Sequence, residues 1–241
     1  MPRPEASRTD PRPWPVAARL EGPTDRYPHN VLGGIPAFTD LAVMALSCTV
    51  CRHGSEGAHI RLAPPLVFED VAPRLWDVTG DGRPEIVVVE SHETRGARLA
   101  VWAYPDGTAG GRGPTRIAAS AHIGARFRWL APAGIGDFAG DGRRVIAWVD
   151  RPHLAQEVVF ATRAGGRIIE IARAKGFSNH RIGETTIAST TRTCGTLTEL
   201  ILPRAGQPRL AALHLHNGRI EARDAGPYRG PQDLERAMRC P

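Results

Sequence analysis

Lysine is all but missing from this chain. Of its 31 basic residues only Lys175 is not arginine, so the formal charge of +6 reads as a base-composition skew spread over a solvated face. Aromatic residues are sparse at 6% and no helix-turn-helix pattern occurs, so no nucleic-acid partner is expected. A run of 18 apolar residues is also lacking, and no membrane span is expected. The start, from Met1 through Thr24, is rich in Pro and Arg and has no apolar stretch of the kind a secretory signal requires; taken alone it points to the cytoplasm. Catalytic signatures are absent too. There is no Gly-x-Ser-x-Gly elbow, no phosphate loop ending in Gly-Lys-Ser/Thr, no Gly-x-Gly-x-x-Gly after a strand and no His-Glu-x-x-His, so catalysis has no motif behind it.

What the chain has instead is turns. Gly and Pro together number 47 (26 plus 21) in 241 residues, enough length for a substantial core and, for an all-β chain, for one domain. One stretch organises the rest: Asp77-Val-Thr-Gly-Asp-Gly-Arg-Pro-Glu85, followed at once by Ile86-Val-Val-Val89. Oxygen donors alternate at Asp77, Thr79 and Asp81, Gly82 permits a turn, and the Arg83 carbonyl and Glu85 carboxylate complete a set suited to a hard cation, calcium rather than zinc. It is not an EF-hand, because its twelfth position is Val88 inside a β-branched run. The competing reading is a plain turn in which Asp77 and Asp81 cap backbone amides.

The same grammar returns 60 residues later (137 minus 77) as Asp137-Phe-Ala-Gly-Asp-Gly, followed by Val145-Ile-Ala-Trp-Val149. Each copy then reaches an acid (Glu90, Asp150), a histidine (His92, His153), a second apolar strand (Leu99–Trp102, Val158–Phe160) and a hairpin dipeptide (Asp106-Gly107, Gly165-Gly166). A third copy, with Glu199–Leu202, Leu210–Leu213 and Asn217-Gly218, has lost the loop; a fainter one runs through Leu41–Leu46, Ile60–Leu62 and Val67-Phe68. Four units of about four short antiparallel strands predict an all-β fold, a four-bladed β-propeller over residues 28–229. A flexible Pro/Arg-rich extension is expected over residues 1–27, and a short helix, Pro231–Met238, in a tail of residues 230–241.

The paired loops resemble the FG-GAP or VCBS repeat of integrin-type propellers and similar small bacterial repeat proteins. The resemblance implies a periplasmic or secreted home, against the reading of the N-terminus, and structural calcium at Asp77, Thr79, Asp81, Arg83 (through its carbonyl) and Glu85. The second loop keeps Asp137 and Asp141 but has Ala139 and Val145 where donors belong. The family names a scaffold and no transferable reaction.

Propeller geometry puts the loops between second and third strands on one face, together with the connections between units. Glu90, His92, Arg95, Asp150, Arg151, His153, Asn179, His180, Arg181 and Glu184 are therefore expected around one mouth, with His29, Asn30, Arg126 and Arg128 beside them. They form either a pocket for a protein, carbohydrate or anionic ligand, or for a transition metal on His92, His153 and His180, or else a set of ion pairs that holds the units together. The reading reached is a non-catalytic binding or assembly module; a metal-dependent hydrolase on the same His and acid face is the alternative. The four cysteines allow three pairings. Cys48 and Cys51 suit a short-loop disulfide or two free thiols, and a Cys194–Cys240 bridge would staple the tail to the last unit.

Overall fold

The computed structural model describes residues 13–46, 55–105 and 113–240. Cys48, Cys51, the Asp106-Gly107 turn and the first twelve residues lie outside these. The fold is nearly all β, with one short helix at the C-terminus, and its larger sheet curls into a half-barrel. Among the described residues sixteen strands fall into four consecutive groups. The first holds β1 (Trp14–Thr24), β2 (Ala37–Leu46), β3 (Ser55–Arg61) and β4 (Leu66–Phe68). The second holds β5 (Arg74–Trp76), β6 (Glu85–His92), β7 (Gly96–Ala103) and β8 (Thr115–Ala119). The third holds β9 (Leu130–Gly136), β10 (Val145–Asp150), β11 (Glu157–Ala164) and β12 (Arg167–Lys175). The fourth holds β13 (Thr190–Cys194), β14 (Leu197–Pro203), β15 (Arg209–His216) and β16 (Arg219–Pro227), followed by α1 (Pro231–Ala237).

Groups two, three and four are antiparallel meanders whose strands pair in sequence order. The first three groups join into a twelve-stranded sheet through narrow links: β4 bridges β2 and β6, and β8 meets β12 at the single parallel pair Ala119 and Arg167. The fourth group is a sheet of its own.

Packing explains why the second and third strands read as unbroken apolar runs. In β6 the odd positions Val87 and Val89 face the third group with Leu99, Ile146, Trp148 and Val159, while Ile86 and Val88 face the first group with Leu41, Val43 and Phe68. Strand β10 is likewise sandwiched: Ile146 and Trp148 point back to the second group, and Val145, Ala147 and Val149 point on to Leu200, Leu202, Ala211, Leu213 and Leu215 of the fourth. A strand covered on both faces needs no polar alternation. The last strands, β12 and β16, are mostly exposed. The groups thus stack in chain order, each burying a face against the next.

At the end of the stack the free face of group four, Ile201, Leu210 and Ala212, packs on Ala237 and Leu234 of α1. Cys194 and Cys240 form a disulfide across 46 residues, and Arg192 donates to the carbonyls of Ala237 and Arg239 at 2.8 and 3.2 Å, so the helix end is both stapled and capped. Among the described residues no apolar cluster contains strands of both the first and the fourth group.

One departure from the sequence reading concerns the N-terminus. From Trp14 to Thr24 the expected flexible extension is strand β1, paired with β2 from Trp14 opposite Leu46 to Thr24 opposite Ala37. Its pattern is mixed rather than alternating, with Arg19 and Glu21 in a mutual ion pair, because it packs at an edge and gives little periodic signal.

Candidate functional site

The two acidic loops occupy equivalent places, 77–84 between β5 and β6 and 137–144 between β9 and β10, and they touch through Arg144 and Asp77 at 3.2 Å. Within the first loop the carboxylates are occupied by hydrogen bonds. Asp77 accepts the amides of Gly80 (2.7 Å) and Gly82 (3.3 Å), and Asp81 accepts that of Arg83 at 2.9 Å. Glu85, almost fully buried at the head of β6, accepts the Val78 and Thr79 amides and the Thr79 hydroxyl at 2.7 to 3.1 Å. Burial raises the Glu85 pKa, against those hydrogen bonds. Thr79 and Glu85, two of the expected calcium ligands, are therefore spent on each other, and among the described residues no three acidic, histidine or cysteine side chains converge as a cation requires. In this geometry the loop is closed as an Asx-type turn by its own hydrogen bonds.

The hairpins β6–β7, β10–β11 and β14–β15 lie at the opposite end, with the segments that lead into each group. Two glycines set the contacts there. A Cβ on Gly96 (φ 70°) would collide with the carbonyls of Ala125 and Arg128, and one on Gly33 (φ 60°) with the carbonyl of Gly183. Only glycine lets segment 124–128 rest on the β6–β7 turn, and segment 31–35 meet segment 181–185.

The expected residues divide at this end. Glu90 is fully buried, held by Arg98 at 2.5 and 2.9 Å, by the Trp102 indole N–H at 3.0 Å and by Arg116 at 3.2 Å. Asp150 accepts from Arg151 and Arg173 at 2.8 to 2.9 Å. Both acids serve internal ion pairs rather than a mouth. His92 and Arg95 sit to one side, where His92 meets the His122 ring at 5.4 Å; burial drives His122 down to about 4 and, with Arg95, lowers His92 as well.

The remaining residues converge. A cleft of about 310 Å³ is lined by His29, Asn30, Phe127, Arg128, Trp129, Arg151 and His153, with Leu154 and Ile182 on its rim. Its wall is a set of ring contacts: His29 stacks on Phe127 (5.2 Å), His153 lies nearly parallel to Trp129 (6.4 Å), and His180 meets Trp129 edge-on (4.9 Å). Buried Glu69 fixes one side, accepting from His29 Nδ1 at 2.6 Å and from Ser91 Oγ at 2.5 Å; burial, opposed by these bonds, raises its pKa. The Trp129 indole donates to the Glu69 carbonyl at 2.8 Å, and the Phe127 amide donates to the Tyr27 hydroxyl at 2.7 Å.

Tautomers follow from the partners. His180 Nε2 lies 3.0 Å from the Glu184 carbonyl and must donate, which leaves its Nδ1 as acceptor for His153 Nε2 at 2.9 Å. The unprotonated nitrogens of the pair are then His180 Nδ1, which accepts from His153, and His153 Nδ1. Burial and the neighbouring His180 hold His153 down to about 4, and burial lowers His180, so both rings are neutral near pH 7.

Backbone strain is concentrated here. Apart from Asn217 in a hairpin turn, every described non-glycine residue at positive φ belongs to this end: Asn30 (53°), Phe127 (56°), Arg151 (45°) and Gln156 (53°). Phe127, Trp129, Leu154 and Ile182 escape the sequence reading, which followed charge; the aromatic pair in Arg126-Phe-Arg-Trp129 was the available signal. A second concavity, about 800 Å³, opens beyond the His153–His180 pair and includes Asn179, Arg181 and Glu184. Comparison of the chain with protein-family models, with curated proteins and with solved structures finds no match to any of them.

Proposed function

We propose that this protein is a non-catalytic binding module on a scaffold of the FG-GAP or VCBS kind, an open four-bladed arc whose site is the aromatic and histidine cleft at the hairpin end. The observation that carries the reading is the strain at Asn30, Phe127 and Arg151, three cleft residues held at positive φ. Such conformations cost of order 1–3 kcal/mol each and persist chiefly where a site needs the side chains they aim. The cleft's size, its aromatic walls and its few polar groups suit one sugar ring or a similar small ligand, with Arg128 and Arg151 for hydroxyls. The 60-residue offset, the equivalent placing of both acidic loops and the stacked groups support the scaffold assignment.

The hydrolase reading loses its acids, since Glu90 and Asp150 are each committed to two arginines. A periplasmic or secreted location accords with the disulfide between Cys194 and Cys240. The test is a panel of neutral methyl glycosides followed by tryptophan fluorescence and calorimetry. Saturable binding without turnover, weakened about tenfold or more in Phe127→Ala, is expected; binding that is indifferent to Phe127→Ala and His153→Ala would remove the cleft from the function.

A further inference from the structure

The larger concavity lies between the third and fourth groups, walled by the β10–β11 and β14–β15 hairpins, the segment 178–188 and the residues that precede α1. Three arginines line it: Arg181, Arg204 and Arg229. Several arginines nearby are matched to carboxylates, as Arg151 and Arg173 are to Asp150, Arg209 to Asp224 and Arg236 of α1 to Asp233. Among the described residues none of these three guanidinium groups lies within ion-pair distance of an acid, and Glu184 is the one carboxylate among the lining residues. His153 and His180 add no charge near pH 7, so the cavity carries a surplus of positive charge set by arginine alone.

Several polar side chains of the lining have no hydrogen-bond partner, among prolines, alanines and Ile182 and beside the bonded Ser178, His153 and His180. The side chains of Gln156, Gln207 and Tyr228 make no hydrogen bond within the described chain, and all three line the cavity. Asn179, 1% exposed on the floor, has an Oδ1 with no partner. An acceptor stripped of water and left unpaired is destabilising, and a donor brought in from the cavity side would relieve it. Gln156 is also one of the four residues at positive φ.

We propose that this cavity binds a hydroxyl-bearing oxyanion, a sugar acid or sugar phosphate, with Arg181, Arg204 and Arg229 holding the charged group and Asn179, Gln156 and Tyr228 taking the hydroxyls. Guanidinium forks match the paired oxygens of carboxylate and phosphate, and about 800 Å³ accommodates a monosaccharide with its anionic group. The site is separate from the aromatic cleft, sharing with it only the edge formed by His153 and Ile182.

Calorimetry of the full chain with glucuronate, glucose 6-phosphate, glucose and inorganic phosphate tests this. Saturable binding of glucuronate or glucose 6-phosphate, at least about tenfold tighter than glucose and than inorganic phosphate, is expected, because the charge and the hydroxyls are both recognised. Arg204→Gln with Arg229→Gln should weaken it by about tenfold or more while Phe127→Ala leaves it within about threefold. Arg204 also lies over the Phe177 ring at 5.6 Å, so Arg229→Gln alone, at the rim, is the variant to read if the pair disturbs folding. No binding of either sugar anion, binding of inorganic phosphate as tight as of glucose 6-phosphate, or an unchanged affinity in the arginine variants would overturn the proposal. Loss of binding in Phe127→Ala alone would assign the anion to the aromatic cleft and overturn it equally.

Discussion

Glu90 shows how a residue chosen for chemistry serves structure. Its carboxylate has no access to solvent and gathers two arginines and an indole N–H, so Glu90→Gln leaves Arg98 and Arg116 facing a neutral partner. Breaking a buried pair from one side costs about 3 kcal/mol, and for a chain of this size a thermal melt should fall by roughly 6–12 °C. Gln156 is expected to behave in the opposite sense. A side chain at its φ of 53° is strained by about 1–2 kcal/mol, of which glycine's extra entropy in the unfolded chain offsets about 0.5–1, so Gln156→Gly should leave stability unchanged or raise it by up to about 1.5 kcal/mol in urea melts. The histidines set a pH dependence. His122 and His153 titrate near 4 when folded and near 6.5 when unfolded, so the unfolded chain binds more protons between those values and stability falls as pH drops from about 6.5 toward 4. Glu69 and Glu85, both raised, act the other way, losing stability as pH rises through their folded pKa values. The difference between wild type and His153→Asn urea midpoints, followed from pH 7.5 to 4.5, isolates the histidine contribution and should shrink as pH falls.

At the scale of elements the tail is the clearest case. Helix α1 has seven residues, too few to persist unaided, and it is held by the disulfide, by Arg192 and by the apolar face of β14 and β15. Closing a 46-residue separation corresponds to about 4 kcal/mol in the chain-entropy picture, so Cys194→Ser with Cys240→Ser should lower the melt clearly, and dithiothreitol should do the same to the wild type. The loop 77–84 carries the contrasting expectation: with Glu85 and Thr79 committed to each other, millimolar calcium should leave the melting temperature unchanged and release no heat, whereas a bound cation would raise it. Much of this level was legible in the sequence. The runs at Ile86–Val89 and Ile146–Val149, the Asn217-Gly218 turn and the tail helix all stand where their residues indicated, because continuous β-branched runs and Asn-Gly turns are local signals. Strand β1 was not legible, since its exposure alternates poorly and its identity depends on pairing with β2. Nor could residue types alone tell that Glu90 points inward while His153 lines a cleft: Glu90 is still within β6, where strand phase sets its facing, and His153 sits in the β10–β11 hairpin.

Over the whole molecule, the four groups stack face on face in chain order, and the last face is covered by a helix rather than by the first group. The hairpin and lead-in segments of several groups still meet at one end, where the Gly183 amide donates to the Val31 carbonyl at 3.2 Å and joins the first lead-in segment to the last. That end concentrates the strain, the aromatic walls and the unmatched arginines, while the acidic loops close the other end with hydrogen bonds. Residue-resolved amide shifts of the labelled protein, titrated with the methyl glycoside panel and glucuronate, read the two ends separately. Changes confined to segments 28–36, 124–129, 151–156 and 178–188 are expected; changes centred on 77–85 and 137–144, or none at either end at saturating ligand, would contradict a binding module with its site at the hairpin end.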